Sequence, residues 1–278
     1  MIKINSELPL CMLDQNMELN QYDFVLYHLY ISNGVYREYY NNMRVTYPNR
    51  LMILDNSAYE FFIKGETLNI EDYVRVINEL KPDMFILPDV LMDMEQTLKD
   101  TKLFLKNYHV EYSEPLAVAQ GNTPNELTAC LLLYKDMGIE NVAIPFHNRF
   151  FKETKIREDE WLATAFMNKY GALDLTEDMR YAIGRMQWVT NNNELLSTFK
   201  HVHLLGSHCP FEKVFYRYSR EFIHTMDTGY PVKCAIEGYE LFKEPYKPNI
   251  IIDEFLDKEL DCKDLIARNV KLFRDLNS

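Results

Sequence analysis

The sequence predicts an α/β fold of the (β/α)8 TIM-barrel class, with an insertion between the fifth and sixth predicted strands. Short apolar runs alternate along the 278 residues with segments of helical periodicity. The runs are almost continuously apolar, as strands buried on both faces of a parallel sheet are. A barrel of this class needs roughly 250 residues, and neither a linker nor a repeat divides the chain. We therefore expect a single domain over residues 1–278.

Seven apolar runs are predicted to be strands. In chain order they are Phe24–Tyr30, Leu51–Asp55, Met84–Pro88, Pro115–Gln120, Asn141–Pro145, His201–Gly206 and Phe222–Asp227. Two segments, Val232–Glu237 and Asn249–Ile252, compete for the eighth strand. Helical periodicity over Ile70–Leu80 and a Thr cap at Thr123 predict two crossover helices. The insertion, Glu158–Lys200, is too long for one crossover helix, and we expect two or three helices in it.

The formal net charge of the chain is −12. This charge argues against a broad electrostatic contact with nucleic acid, because phosphate contacts need clustered Lys and Arg. Two local strips nevertheless combine basic with aromatic residues, and each is either a phosphate contact or a solvated helix face. Their basic residues are Arg149, Lys152, Lys155 and Arg157 in the first strip, and Lys213, Arg217 and Arg220 in the second.

The composition also bears on compartment and cofactors. No apolar run of about 18 residues predicts a membrane span, and the first five residues do not resemble a signal peptide. The five cysteines form no Cys-x-x-Cys pair, so we expect reduced thiols in a cytoplasm, that of a host if the protein is viral. We expect no metal and no other cofactor, because the one dense group of potential ligands lacks the usual ligand spacing. That group comprises His201, His203, His208, Cys209 and His224.

Four polar residues stand at the ends of predicted strands: Asp55, Asp89, Gln120 and Asp227. Barrels of this class draw their catalytic residues from the carboxyl ends of several strands, so the four residues predict a shared site. Asp227 precedes Thr-Gly and is well placed as a nucleophile or base. Ordinary capping and turn roles would also account for each of the four residues.

The residues at these strand ends suit the recognition of a planar base. The carboxylate of Asp89 can accept from the N–H donors of a purine-like edge, and Gln120 offers a donor and an acceptor together. Gly121 lets the turn open close to a ligand, and Gly206 can bring backbone groups to it. The ring of Tyr59 can stack on the base.

Taken in order, these segments resemble the tRNA-guanine transglycosylase family. The Asp-Ser-Gly-Gly-Phe-Gln motif of that family is similar to Asp55–Glu60, and its next functional Asp is similar to Asp89. Its Val-Gln-Gly motif is similar to Val118–Gly121, with one residue inserted. Its Tyr-Leu-Met-Gly strand is similar to His203–Gly206, and its nucleophilic Asp falls on Asp227.

The resemblance spans residues 51–231 and departs from the family in two places. The zinc ligands of the family, Cys-x-Cys-x-x-Cys and a later His, are missing, because only Cys234 and Cys262 follow Asp227 and no His does. The Gly-Gly-Leu element of the family is replaced by Ile144–His147. A short, zinc-free relative is most similar to the phage and bacterial DNA-guanine transglycosylases, which place 7-deazaguanines in DNA.

The resemblance implies a base-exchange glycosyltransferase that acts on nucleic acid, DNA being favoured over tRNA. Asp227 would displace guanine from C1′ through a covalent glycosyl intermediate, and Asp55 would take the N9 proton of an incoming 7-deazaguanine. The residues implied to bind the base are Asp89, Gln120, Gly121, Tyr59, Leu205 and Gly206.

Three alternatives remain open from the sequence. The substrate polymer could be tRNA instead of DNA. The acidic charge favours a barrel hydrolase that uses the same carboxylates on a small glycoside or nucleoside. A catalytically silent binding subunit of a modification complex is the third, although the presence of both Asp55 and Asp227 speaks against it. The sequence gives no oligomeric state.

Overall fold

The structure is a computed structural model, and it describes residues 2–154, 177–209, 212–216, 222–241, 243, 248, 250 and 255–275. Eight strands form one sheet in the order β1-β8-β7-β6-β5-β4-β3-β2. They are β1 (Lys3–Ser6), β2 (Asp23–Leu26), β3 (Met52–Asp55), β4 (Met84–Ile86), β5 (Glu114–Val118), β6 (Asn141–Ile144), β7 (His201–Leu204) and β8 (Thr225–Thr228). The pairings of β1 with β8 and of β2 through β6 in succession are parallel.

Helices separate the strands. They are α1 (Asn16–Leu19), α2 (Tyr27–Ser32), α3 (Gly34–Thr46), α4 (Ala58–Lys64), α5 (Ile70–Leu80), α6 (Met94–Asn107), α7 (Pro124–Asp136), α8 (Arg149–Glu153), α9 (Glu177–Asn191), α10 (Asn193–Leu196), α11 (Glu212–Phe215), α12 (Tyr230–Ile236) and α13 (Lys263–Asp275), with a 3-10 helix at Leu10–Gln15. Parallel strands in this order, joined by helices, confirm the predicted (β/α)8 fold class.

The sequence analysis left the eighth strand open between two candidate segments. The strand that the sequence analysis missed is the first one, β1, which pairs in parallel register with β8 from Lys3 opposite Thr225 to Ser6 opposite Thr228. The candidate Val232–Glu237 lies largely in α12. Of the candidate Asn249–Ile252, only Ile250 is among the described residues, and it belongs to neither a helix nor a strand.

The run Phe24–Tyr30, predicted to be one strand, is divided between two elements. Strand β2 ends at Leu26, and α2 begins at Tyr27. All four residues from Tyr27 to Tyr30 are buried, so the run stays buried across the boundary. An apolar run cannot by itself distinguish a buried strand from a buried helix.

Helix α8 precedes the predicted insertion, Glu158–Lys200, and the described part of that insertion contains two helices, α9 and α10, in agreement with the expected two or three. Residues 155–176 lie outside the described residues. Helix α9 packs closely on α8 at Gly184, where an added Cβ would lie 2.0 Å from the carbonyl oxygen of Phe151. A side chain at position 184 would therefore force the two helices apart.

The tertiary contacts within the chain divide it into two compact units. The first unit comprises residues 22–145 and 199–203, and the second comprises residues 1–21, 146–198 and 204–278. In the first unit, α5 buries Tyr73, Val76, Ile77 and Leu80. In the second unit, α13 buries Ile266, Val270 and Phe273.

Within the described part of the chain, no helix combines the length and the apolar character needed to cross a membrane.

Candidate functional site

In the first unit, the turn after β3 is held by side-chain hydrogen bonds. Oδ2 of Asp55 accepts the N–H of Ser57 at 2.8 Å, and Oδ1 of Asn56 accepts the N–H of Ala58 at 2.9 Å. Ser57 adopts the left-handed conformation with φ of 60°, and its Oγ accepts the N–H of His28 at 3.1 Å. Asp55 thus stabilises the turn that precedes α4, whose N-cap residue is Ser57.

Asp89 is the centre of a hydrogen-bonded cluster that we call the Asp89 cluster, formed by Asn56, Asp89 and Gln120. Nδ2 of Asn56 donates to Oδ1 of Asp89 at 2.7 Å, and Nε2 of Gln120 donates to Oδ2 at 2.6 Å. Oε1 of Gln120 accepts the N–H of Met92 at 2.9 Å. Asn56 and Gln120 are buried. The cluster therefore ties together the chain segments that follow β3, β4 and β5.

Burial raises the pKa of Asp89, while the hydrogen bonds from Asn56 and Gln120 act in the opposite direction. Protein atoms around the carboxylate desolvate it although the residue is partly accessible to solvent. Desolvation disfavours the charged form of a carboxyl group, and donated hydrogen bonds favour that form. The carboxyl group of Asp89 is therefore suited to accept hydrogen bonds from the N–H groups of a ligand.

A cavity of about 490 Å³ opens beside Asp89 within the first unit. Its polar lining includes Asn56, Asp89, Glu66 and Asp100, and its apolar lining includes Phe61, Phe62, Leu91, Leu103 and Phe104. Ligand sites are usually concave and mostly apolar, with a few polar groups that fix orientation. The cavity has the size and the mixed lining that suit a small planar ligand with N–H donors.

Buried hydrogen bonds hold the strand ends beneath the Asp89 cluster. The hydroxyl of Tyr73 donates to the carbonyl oxygen of Ile86 at 2.8 Å and lies 3.3 Å from that of Leu54. Burial raises the pKa of Tyr73 well above its usual range, so the hydroxyl stays neutral. Sequence reasoning did not single out Tyr73 or Asn56, because Tyr73 has the pattern of a core aromatic residue and Asn56 that of a turn residue.

Two further residues predicted to bind a base lie in this unit. Tyr59, on α4, is 49% exposed, so its ring is accessible. Gly121 has a packing explanation, because an added Cβ would lie 2.8 Å from Cβ of Glu126 and 3.0 Å from the backbone nitrogen of Leu127. The close approach of the first turn of α7 therefore accounts for the glycine.

In the second unit, Asp227 lies in β8 and is buried, with 3% exposure. The N–H of Gly206 donates to its Oδ1 at 2.8 Å, and the N–H of Ser207 donates to its backbone carbonyl at 2.9 Å. Gly206 has φ of 58°, in the left-handed region that favours glycine. The loop Leu205–Ser207 thus holds the Asp227 carboxylate in a fixed orientation.

A buried ion pair supports this loop. Arg185 on α9 donates from Nε and Nη2 to the two carboxylate oxygens of Glu212, at 2.6 and 2.7 Å. Its Nη1 donates to the carbonyl oxygen of Leu205 at 2.6 Å, and Oγ of Ser207 donates to Glu212 at 2.6 Å. Both charged side chains are fully buried. The guanidinium also lies 4.8 Å from the ring centroid of Phe146.

Charge balance explains why this ion pair persists in the interior. Burial acts to lower the pKa of Arg185, but the charge and hydrogen bonds of Glu212 raise it above its usual value. Sequence reasoning missed both residues. Arg185 lies within the insertion, 27 residues before Glu212, and no local pattern links the two.

The second unit also brings together His147, Asp178 and His208. One potential ligand atom from each residue lies within 4.8 Å of those of the other two. Of these residues, only His208 belonged to the histidine-rich group noted in the sequence. His147 and His208 lie in the loops after β6 and β7, and Asp178 lies in the first turn of α9.

The basic strips are described only in part. Arg149 pairs with Glu153 at 2.9 Å and Lys152 pairs with Glu177 at 2.7 Å, both on the surface. The prediction that Lys213 is a surface phosphate contact was wrong, because this residue is 4% exposed and its Nζ donates to the backbone carbonyl of Arg274. The remaining predicted contacts, Lys155, Arg157, Arg217 and Arg220, lie outside the described residues.

Comparison with models of known protein families and with curated proteins gave no match to this chain.

Proposed function

We propose that this chain is a base-exchange glycosyltransferase that replaces guanine in DNA with a 7-deazaguanine base. The observation that carries the proposal is the Asp89 cluster beside an apolar cavity of about 490 Å³. A planar base with N–H donors can add hydrogen bonds to those that Asp89 accepts from Asn56 and Gln120, and its faces suit the aromatic walls of the cavity.

In the proposed reaction, Asp227 is the nucleophile. Its carboxylate attacks C1′ of the guanosine nucleotide, the bond from C1′ to N9 breaks, and guanine leaves with the bonding electron pair and takes a proton from water. A covalent glycosyl ester results, as in retaining glycosidases. The hydrogen bond from the N–H of Gly206 to Oδ1 orients the carboxylate for this attack.

Asp55 is the proposed base in the second half of the exchange. It takes the N9 proton of the incoming 7-deazaguanine, N9 attacks C1′, and the ester bond breaks to regenerate the Asp227 carboxylate. In the same proposal, Asp89 accepts from the N–H edge of either base. Tyr59, 49% exposed, is available to stack on the base.

The proposed polymer is DNA, and the target nucleotide has to leave its stack to be reached. Extrusion from a duplex costs a few kcal/mol and less from a single strand. The exchange is therefore expected to be faster on single-stranded than on double-stranded DNA. All five cysteines are free thiols, and we accordingly propose a reducing compartment such as a cytoplasm.

The proposal is tested with the purified chain, labelled 7-deazaguanine and three polymers: single-stranded DNA, duplex DNA and tRNA. We expect label to enter DNA, and we expect Asp227→Asn to abolish incorporation because the amide cannot form the ester. Asp136→Asn, at an exposed position in α7, is the matched control and should retain full incorporation. Label in tRNA alone would replace DNA by tRNA as the substrate.

A hydrolase acting on a small glycoside or nucleoside is the second candidate. The observation that favours it is the pairing and burial of basic side chains in the two strips. Arg149 and Lys152 pair with acidic residues, and Lys213 is buried. Under this alternative, no label enters any of the three polymers, and incubation of the chain with a nucleoside releases free base and a reducing sugar.

A further inference from the structure

We propose that His147, Asp178 and His208 bind a divalent transition-metal ion, with Zn²⁺ as the preferred ion. Two imidazoles and one carboxylate are a ligand set that zinc accepts, and three protein ligands leave a fourth position for water or a substrate atom. This site is separate from the zinc set of the transglycosylase family, whose cysteines have no counterpart here. It is also independent of the function proposed above.

The distances suit an ion that draws its ligands inward. The three potential ligand atoms lie within 4.8 Å of one another. Zinc bonds of about 2.0–2.2 Å in tetrahedral geometry place neighbouring ligand atoms about 3.3 Å apart. Binding would therefore bring the ligand atoms closer together by up to about 1.5 Å.

Aromatic packing orients the two imidazole rings. The His147 and His208 rings meet edge to face with centroids 4.8 Å apart. Phe146 stacks on His208 at 5.2 Å, and Tyr181 contacts His147 edge-on at 5.3 Å. These contacts restrict the rotamers of both histidines, so less conformational entropy is lost when they bind an ion.

The position of Asp178 supplies the charge for the site. Asp178 is 6% exposed, and its Oδ2 lies 4.0 Å from Nδ1 of His208, which is longer than a hydrogen bond. A buried carboxylate is favourable where it is paired or coordinates a metal. Coordination of an ion by Asp178 is therefore compatible with the burial of its carboxylate.

The site is open on one side. His147 is exposed and His208 is partly exposed, whereas Asp178 is buried. An ion bound there can therefore exchange with solvent and can hold a water molecule. Structural zinc sites are closed by four protein ligands, and sites with an open position bind an exogenous ligand. The proposed site belongs to the second kind.

The experiment uses the full-length chain after removal of metal with a chelator. Titration with Co²⁺, followed by its visible absorption, and with Zn²⁺, followed by calorimetry, gives the stoichiometry and the affinity. We expect one ion per chain, and we expect the double variant His147→Ala/His208→Ala to weaken binding at least 100-fold. Asp178→Asn should weaken it at least tenfold, because the anionic ligand is lost.

His109→Ala is the matched control, since His109 is an exposed histidine outside the cluster, and it should bind the ion as the parent chain does. Circular dichroism of each variant establishes that it is folded; if the double variant fails to fold, the single variant His147→Ala, at an exposed position, takes its place. The proposal is overturned if the parent chain binds less than one equivalent. It is equally overturned if the variants at His147, His208 and Asp178 bind the metal ion as tightly as the parent chain does. In that case Asp178 and His208 form an ion pair only.

Discussion

Nε2 of Gln120 donates to Oδ2 of Asp89 over 2.6 Å, while Oε1 of the same amide accepts the N–H of Met92. Gln120 is thus fixed at both ends by protein groups, and it sets the position of the carboxylate. Base recognition in the proposed function therefore falls first on Asp89, and Gln120 acts by positioning it.

Replacing Gln120 with Ala should destabilise the fold. The variant removes one donor from Asp89 and leaves the N–H of Met92 without this acceptor, a loss of about 1–3 kcal/mol for a buried hydrogen-bonding group. Urea unfolding measures the change. Gln96→Ala, which removes one partly exposed hydrogen bond to Asp100, is the control and should change stability by roughly 0.5 kcal/mol or less. Equal effects of both variants would contradict the role given to Gln120.

Asp89 should make stability fall as pH rises. Its pKa in the folded chain is raised above the ordinary value of 3.8, so the folded state binds this proton more tightly than the unfolded state does. The resulting stability is fully present below pH 3.8 and is lost as pH rises through the folded-state pKa.

Asp89→Asn removes this titration. The free energy of unfolding of the parent chain minus that of the variant should therefore decrease as pH rises above 3.8. Urea unfolding of both proteins over a pH series measures the difference, in which the contributions of the other titrating groups cancel. A difference that stays constant or increases with pH would refute the prediction.

Arg185→Met should be among the most destabilising single changes. It leaves the buried Glu212 without its counter-charge, which costs about 3–5 kcal/mol. The double variant Arg185→Met/Glu212→Leu should recover much of that loss, because no unpaired charge remains. Chemical denaturation measures both. Arg75→Met serves as the surface control, since Arg75 is 61% exposed. If Arg75→Met lowered the free energy of unfolding as much as Arg185→Met does, the buried ion pair would be ruled out as the cause.

Gly206→Ala should cost about 1–2 kcal/mol, because its left-handed φ of 58° is unfavourable for a residue with a Cβ. Gly65, with φ of 68° and open space around it, is the matched control and should cost a similar amount. Under the proposed function, only Gly206→Ala should slow base exchange, because strain at position 206 displaces the backbone N–H that donates to Asp227. Equal exchange rates for the two variants would show that the N–H of Gly206 does not orient the nucleophile.

The sequence predicted the strands that are apolar and missed the one that is not. Strand β1 has the sequence Lys-Ile-Asn-Ser, in which Lys3 is exposed and the polar residues Asn5 and Ser6 are buried. An apolar pattern cannot reveal a strand of this kind. The end of β2 at Leu26 was missed for the opposite reason, since the helix that follows it is as buried as the strand.

The sequence also predicted several strand-end residues that the structure places at the ends of strands, notably Asp55 in β3 and Asp227 in β8. It could not predict which residues support them. Arg185 reaches Leu205 and Glu212 only through the packing of α9, and Asp178 joins His147 and His208 in the same way. Such contacts are formed by tertiary packing, and no local sequence pattern predicts which residues will meet.

Helix α9 presents Asp178, Tyr181 and Arg185 at three- and seven-residue spacing, on one face. That face contacts His147 and His208 through the first two residues, and the loop beside Asp227 through the third. Deleting a single residue between Asp178 and Arg185 would rotate one end of the helix by about 100° relative to the other. The number of residues in α9 between Asp178 and Arg185 is therefore fixed by these contacts. Substitutions on the outer face of α9 should be tolerated far better than an insertion or a deletion between these two residues.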